Sequence, residues 1–187
     1  MKRALIVIDV QNEYFTGKLP ITYPSGSLDN ILQVINIASE RNIPVIVVRH
    51  TQLAEDTPIF KPGSQEWELH PEIAKLPYDL LIEKNLPGSF TGTELETWLK
   101  EKGIDTVVIA GYMTQMCCDT TARQASHLGF SVEFLADATG TLAFKNNAGT
   151  VTDEELHRAI LVAQDNFISK VISTSKWINN LEKTNEN

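Results

Sequence analysis

Several residues able to do acyl chemistry stand at the ends of short apolar runs in this chain. Asp9 and Gln11 follow the run at 4–8, His50 follows 45–48, and Lys84 follows 79–83. Thr114 and the only two cysteines, Cys117 and Cys118, lie in the segment after the run at 106–110. A thiol must lose its proton to attack a carbonyl carbon. Asp9 can accept that proton, and Lys84 can pair with Asp9 and favour the thiolate. Backbone N–H groups in the turn before the cysteines can receive the oxyanion of a tetrahedral intermediate. Asp9 would then return the proton to a leaving amine, and water activated by the same carboxylate would release the acyl group. Each residue alone has a plainer reading. A cysteine is often a small buried hydrophobe, an aspartate a turn cap, and a lysine or histidine simply the end of a strand. Which of the two cysteines would act is open at this level.

These residues meet only if the runs are strands of one sheet. Residues 4–8, 45–48, 79–83, 106–110, 131–135 and 170–173 read as strands, apolar on both faces, with helical patterns between them. Ser27 is expected to cap a helix that stacks Ile31, Leu32, Ile35 and Ala38. Thr93 is expected to cap another carrying Leu95, Trp98 and Leu99, with Gly103 as its stop. Thr152 and Glu155 have capping-box spacing, before a helix that stacks Leu156, Ile160, Ala163 and Phe167. The segment from Gly111 through the cysteines reads as a tight turn opening a helix, whose dipole would favour thiolate. Strands alternating with helices predict an α/β fold: a three-layer α/β/α sandwich, doubly wound and Rossmann-like, with about six mainly parallel strands. In such sheets ligands bind beyond the carboxyl ends of the strands, where Asp9, His50, Lys84 and the cysteines fall.

Composition narrows the rest. The chain has 187 residues, 42% of them hydrophobic, which suits one domain over 1–178 and a polar, frayed tail over 179–187. A net charge of −8 without a Lys/Arg cluster speaks against nucleic acid as a partner. No run approaches the roughly 20 apolar residues of a membrane helix, so no membrane partner is expected. The N-terminal apolar run is short and interrupted by Asp9, so it reads as a strand rather than a signal peptide. Adjacent cysteines suit a reducing cytoplasm better than a structural disulfide. Residues 51–78, with Pro58, Pro62, Gly63, Pro71 and Pro77, form the longest irregular stretch and are a candidate functional loop.

The pattern Asp9-Val10-Gln11-Asn12, then Lys84, then Gly111-x-x-Thr114-x-x-Cys117-x-x-x-Thr121-Ala122-Arg123 resembles the isochorismatase-like cysteine hydrolase superfamily. Ser89-Phe90-x-Gly92-Thr93 and Asp137-Ala138 extend the resemblance over almost the whole chain. It implies a triad of Asp9, Lys84 and Cys117, with Cys118 as packing. It also implies a cis peptide between Tyr112 and Met113, and an oxyanion hole from the backbone amides of Met113 and Cys117. Nicotinamidases in the superfamily carry an Asp-x-His pair after the second strand that helps bind a metal. Here that segment reads Arg49-His50-Thr51-Gln52, and His70 alone is a poor site, so no metal and no cofactor are expected. Candidate substrate contacts are Gln11, Tyr14, Phe15, His50, Trp67 and Tyr112. The implied reaction is metal-independent cleavage of a small amide, carbamoyl or lactam C–N bond through acyl-Cys117. The alternatives are vinyl-ether hydrolysis of the isochorismatase type, a thiol-reactive redox protein, or a silent ligand-binding module. A small-molecule substrate and self-association as a dimer or larger are the expected partners, with Leu53, Ile59 and Phe60 as interface residues.

Overall fold

The computed structural model describes residues 1–54 and 56–184. Six strands form one fully parallel sheet: β1 (Arg3–Ile8), β2 (Val45–His50), β3 (Leu80–Lys84), β4 (Thr106–Tyr112), β5 (Ser131–Gly140) and β8 (Lys170–Ile172). Their order is β3-β2-β1-β4-β5-β8. The chain winds outward from β1 to β3 and then returns to the other side of β1, so the crevice between β1 and β4 is the point where the winding reverses. A short hairpin, β6 (Phe144–Asn146) and β7 (Gly149–Val151), was not expected from the sequence.

The helices divide between the two faces because strand side chains alternate. Leu5, Val7, Val45, Val47 and Val108 pack against Ile31, Val34 and Ile35 of α1 (Ser27–Glu40) and Trp177 of α6 (Thr174–Thr184). Ala4, Ile6, Ile8, Val107 and Ile109 pack against the other layer. That layer comprises α3 (Leu95–Glu101), α4 (Asp119–His127) and α5 (Asp153–Phe167). A single-turn α2 (Pro71–Ala74) interrupts the long loop. The three-layer α/β/α sandwich is the architecture expected from the apolar runs.

Several details differ from the sequence reading. Ser27 does not cap α1: Gly26, at φ 79°, holds the N-cap, and the Ser27 hydroxyl lies 3.0 Å from Tyr112 Oη. Glu94 rather than Thr93 precedes α3, although the Thr93 hydroxyl still accepts from Leu95 N. The Thr152–Glu155 capping box is present. Phe167 does not join the buried stripe of α5 and is 90% exposed. That helix buries His157 and Gln164 and packs Leu161 against the core, a face rotated by one residue from the expected stripe. The tail is not frayed from residue 179, since α6 continues to Thr184 with Trp177 and Leu181 buried one turn apart. Its last three residues lie outside the described residues. Trp177 Nε1 donates to Glu133, which also pairs with Arg3, so α6 is tied to β5 and β1. Phe60 is core rather than interface: it packs edge-on to Tyr14 and His50.

One glycine brings the site together. Gly111 pairs with Ile8 across β1 and β4 at φ 116°, and a Cβ there would stand 2.1 Å from Ile8 O. Only glycine lets the two backbones approach this closely beside Asp9. Gly111→Ala is therefore expected to cost at least about 3 kcal/mol of stability, measured by urea unfolding. A loss under about 1 kcal/mol would contradict this account of the contact.

Candidate active site

Asp9 leaves β1 at φ 51°, a left-handed backbone that short polar side chains adopt more readily than most. Its N–H donates to Val48 O, and its own carbonyl accepts from Gln11 N. Lys84 ends β3, where it pairs with His50 across β2. The two residues converge: Lys84 Nζ lies 2.7 Å from Asp9 Oδ2 and 3.3 Å from Cys117 Sγ. Asp9 is 0%, Lys84 1% and Cys117 5% exposed, so the cluster is sealed from bulk water. Both Asp9 carboxylate oxygens are buried without a hydrogen bond among the described residues, and the Lys84 contact to Oδ2 is an ion pair. A buried carboxylate oxygen without a donor is uncommon, and here it is the natural destination for a proton.

The surroundings of Cys117 work against its ionisation. Burial pushes the Cys117 thiol well up, the Asp9 carboxylate pushes it further, and Lys84 opposes them only in part. Burial thus opposes the thiolate that the position in the turn was expected to favour. Burial alone would lower the Lys84 ammonium, but Asp9 and Cys117 outweigh it and hold its pKa up. Lys84 is therefore a fixed positive charge.

The cysteine turn is supported from three sides. It is one turn of π-helix, Thr114–Cys118, that runs directly into α4, and the Tyr112–Met113 peptide before it is cis, as the resemblance implied. Single π turns are frequent at functional sites. Cys118 is fully buried and packs among Ala4, Ile6 and Ala122, matching its expected packing role. The Ser89 hydroxyl lies 2.9 Å from the Thr121 hydroxyl, which couples the segment after Lys84 to the helix after Cys117. The third support was missed in the sequence. His157 on α5 places Nδ1 2.8 Å from Thr114 Oγ1 and Nε2 2.9 Å from the Ala136 carbonyl. The carbonyl can only accept, so Nε2 carries the proton and Nδ1 accepts from Thr114. The one sequence signal for this residue was a histidine set within the apolar pattern of a helix.

The expected substrate contacts separate into two groups. Gln11 is committed elsewhere: Nε2 donates to the His50 and Trp67 carbonyls and Oε1 accepts from His50 N, so it fixes the loop rather than a ligand. Trp67 donates to Thr51 Oγ1 and stacks against the Arg49 guanidinium at 3.7 Å, which withdraws it into the loop packing. Tyr112 is buried with its hydroxyl on Ser27. Phe15 stacks on His70 at 4.4 Å and on the edge of Tyr112. His50 joins the cluster directly, with Nδ1 3.3 Å from Lys84 Nζ. Tyr14 lies close enough for Cys117 and Asp9, after burial, to raise its phenol.

The residues do not fit a metal centre of the nicotinamidase kind. Arg49 occupies the segment where a carboxylate ligand would be needed, and its guanidinium pairs with Glu83. His70 Nδ1 accepts from Glu72 N and caps α2, while His50 Nδ1 faces an ammonium. No group of three or more His, Cys, Asp or Glu side chains that could hold a metal occurs among the described residues.

A family model described as the isochorismatase domain matches residues 3–175. The isochorismatase family protein YddQ of Bacillus subtilis is 30% identical over 95% of this chain and 99% of its own. Nicotinamidase 3 of Arabidopsis thaliana is 34% identical over 85% of this chain and 78% of its own. A crystal structure that bears the isochorismatase name, from Burkholderia xenovorans LB400, superposes with a TM-score of 0.95 at 44% identity. That alignment covers 97% of this chain and 88% of the other.

The buried histidines predict a pH dependence of stability. His157 is lowered by burial, with its bond to Ala136 opposing. His50 is lowered by burial and then by the Lys84 charge. The unfolded chain therefore binds more protons than the folded one once pH drops below about 6.5, and stability present above that pH is lost as pH falls toward the folded-state values. Urea unfolding at pH 7.5 and 5.5 is expected to show lower stability at 5.5, by no more than about 1.4 kcal/mol per pH unit for each histidine. His157→Gln should flatten that slope while lowering stability at both pH values. Equal stability of the wild type at both pH values would contradict this.

Proposed function

The chain belongs to the isochorismatase family of hydrolases, and on that premise we propose that it cleaves the C–N bond of a small amide, carbamoyl compound or lactam through an acyl intermediate on Cys117. The observation that carries this reading is the cluster itself: a buried thiol and a buried carboxylate bridged by one ammonium. Similarity to a protein named as a nicotinamidase supports an amide as the bond attacked. Vinyl-ether hydrolysis begins with protonation and needs no nucleophilic sulfur, so the placement of Cys117 favours acyl transfer.

The steps follow from the charges. As Cys117 Sγ attacks the carbonyl carbon, its proton passes to Asp9, whose buried oxygens have no hydrogen-bond donor among the described residues. Lys84 offsets the negative charge that moves between sulfur and carboxylate. The carbonyl π electrons move onto oxygen, and the N–H groups of Met113 and Cys117 stabilise that oxyanion. Collapse of the intermediate breaks the C–N bond, and Asp9 delivers its proton to the departing nitrogen. Water then gives a proton to Asp9 and its oxygen to the thioester, which releases the acid and restores the thiol. The proposal includes self-association. Val162 and Phe167, 58% and 90% exposed on α5, carry it better than the expected loop residues, of which only Leu53 is largely exposed. The two buried free cysteines suit a reducing compartment such as the cytoplasm.

A panel of nicotinamide, carbamoyl compounds and lactams tests the reaction, with mass spectrometry for an acyl adduct on Cys117. Cys117→Ala is expected to lower kcat by at least about 10³-fold, and Asp9→Asn by roughly 10²- to 10⁴-fold, with circular dichroism unchanged. Full turnover by Cys117→Ala of any substrate the wild type cleaves would remove the mechanism. Light scattering checks the assembly: a dimer or larger is expected, and Phe167→Glu with Val162→Glu should shift it toward monomer.

A further inference from the structure

The Lys84 ammonium has a third acceptor, one that the proposed chemistry does not use. An ammonium offers three N–H donors and no lone pair. Asp9 Oδ2, Cys117 Sγ and His50 Nδ1 stand 2.7, 3.3 and 3.3 Å from Nζ, the first as an ion pair and the other two as hydrogen-bond acceptors. Facing a group that can only donate, Nδ1 must present a lone pair, so the proton of the neutral ring sits on Nε2. Nε2 has no hydrogen-bond partner among the described residues. The other three members of the cluster are buried, whereas His50 is half-buried and is its open polar edge.

The ring is also held in place. Phe60 meets it edge-to-face at 5.2 Å and 88°, and Phe60 is itself braced by Tyr14 at 5.3 Å. Gln11 grips the His50 backbone through both its N–H and its carbonyl. Side-chain tautomer, ring plane and backbone are thus fixed before any ligand arrives, which is what an orienting donor requires. The charged groups acting on the ring are Lys84 and Asp9, with opposite signs.

We propose that His50 orients the substrate, its Nε2–H donating to an acceptor that the substrate carries beside the scissile carbonyl. The class of substrate this selects is a small amide, carbamoyl compound or lactam bearing a second acceptor, such as a carboxylate, a carbonyl or a ring nitrogen. The inference rests on Cys117 as the nucleophile. A site built around a donor rejects ligands lacking the acceptor, because the donor is left unpaired.

The test takes a substrate from the panel with such an acceptor, and an analogue in which a C–H group replaces it. His50→Phe keeps the ring contact with Phe60 and removes both nitrogens. His50→Gln restores an acceptor toward Lys84 and a donor outward. For the acceptor-bearing substrate, KM should rise about 10-fold or more in His50→Phe and recover largely in His50→Gln. For the analogue, KM should change little between the proteins, while kcat in His50→Phe falls alike for both compounds because the Lys84 acceptor is lost. The rate at which iodoacetamide alkylates Cys117 should stay within about twofold of wild type in His50→Gln. If His50→Phe fails to fold, wild type decides alone, by a KM for the analogue about 10-fold or more above that of the parent. Unchanged KM in His50→Phe would overturn the proposal. So would an equal rise in KM for both compounds, since His50 would then act only through Lys84. An active Cys117→Ala protein would instead overturn the nucleophile assignment on which the inference rests.

Discussion

A single buried cation organises the site. Lys84 cannot move away from its partners without stranding a charge in the protein interior, a cost far larger than that of losing a surface ion pair. It therefore fixes the ends of β1, β2 and β3 relative to the turn after β4. The sheet supplies the precision behind it. Lys84 and His50 are register partners, Ile8 is paired with both Val48 and Gly111, and the four strand ends are held by continuous parallel ladders. A cluster mounted on strand ends is more exactly placed than one carried by loops alone.

The cysteine turn needs its own support because a π turn gives up regular helix geometry just where sulfur must be aimed. Thr114 is held from α5 through His157, and Thr121 from the segment after Lys84 through Ser89. Neither contact touches the thiol. Both limit where the thiol can go. The long loop after β2 plays a similar part from the opposite side, where Gln11 bonds to the His50 and Trp67 backbones and Arg49 stacks on Trp67. Much of what surrounds the cluster is thus committed to holding it.

The strands and the convergence of Asp9, Lys84 and Cys117 were legible because each signal was local: an apolar run that stops at a polar residue. Parallel topology then placed those stops at one edge. The errors came where the decisive partner is distant in sequence. Ser27 has the composition of a cap, but its hydroxyl is claimed by Tyr112, 85 residues away. Apolar spacing in α5 pointed to Phe167, yet the buried face is centred on His157, Leu161 and Gln164, two of which are polar and satisfied by tertiary hydrogen bonds. Counting apolar residues cannot detect a face of that kind. Gln11 and Trp67 look like ligand-binding types, and only their hydrogen bonds show that they serve the loop. The dipole argument for the thiolate is likewise local, whereas the desolvation that opposes it is not.

The burial of Cys117 has a consequence for durability. Peroxides and electrophiles react with thiolates, and oxidation beyond the sulfenic acid is hard to reverse. Burial that disfavours the thiolate also slows those reactions at Cys117. In the proposed reaction, the desolvation that shields Cys117 is also what makes a dedicated base necessary.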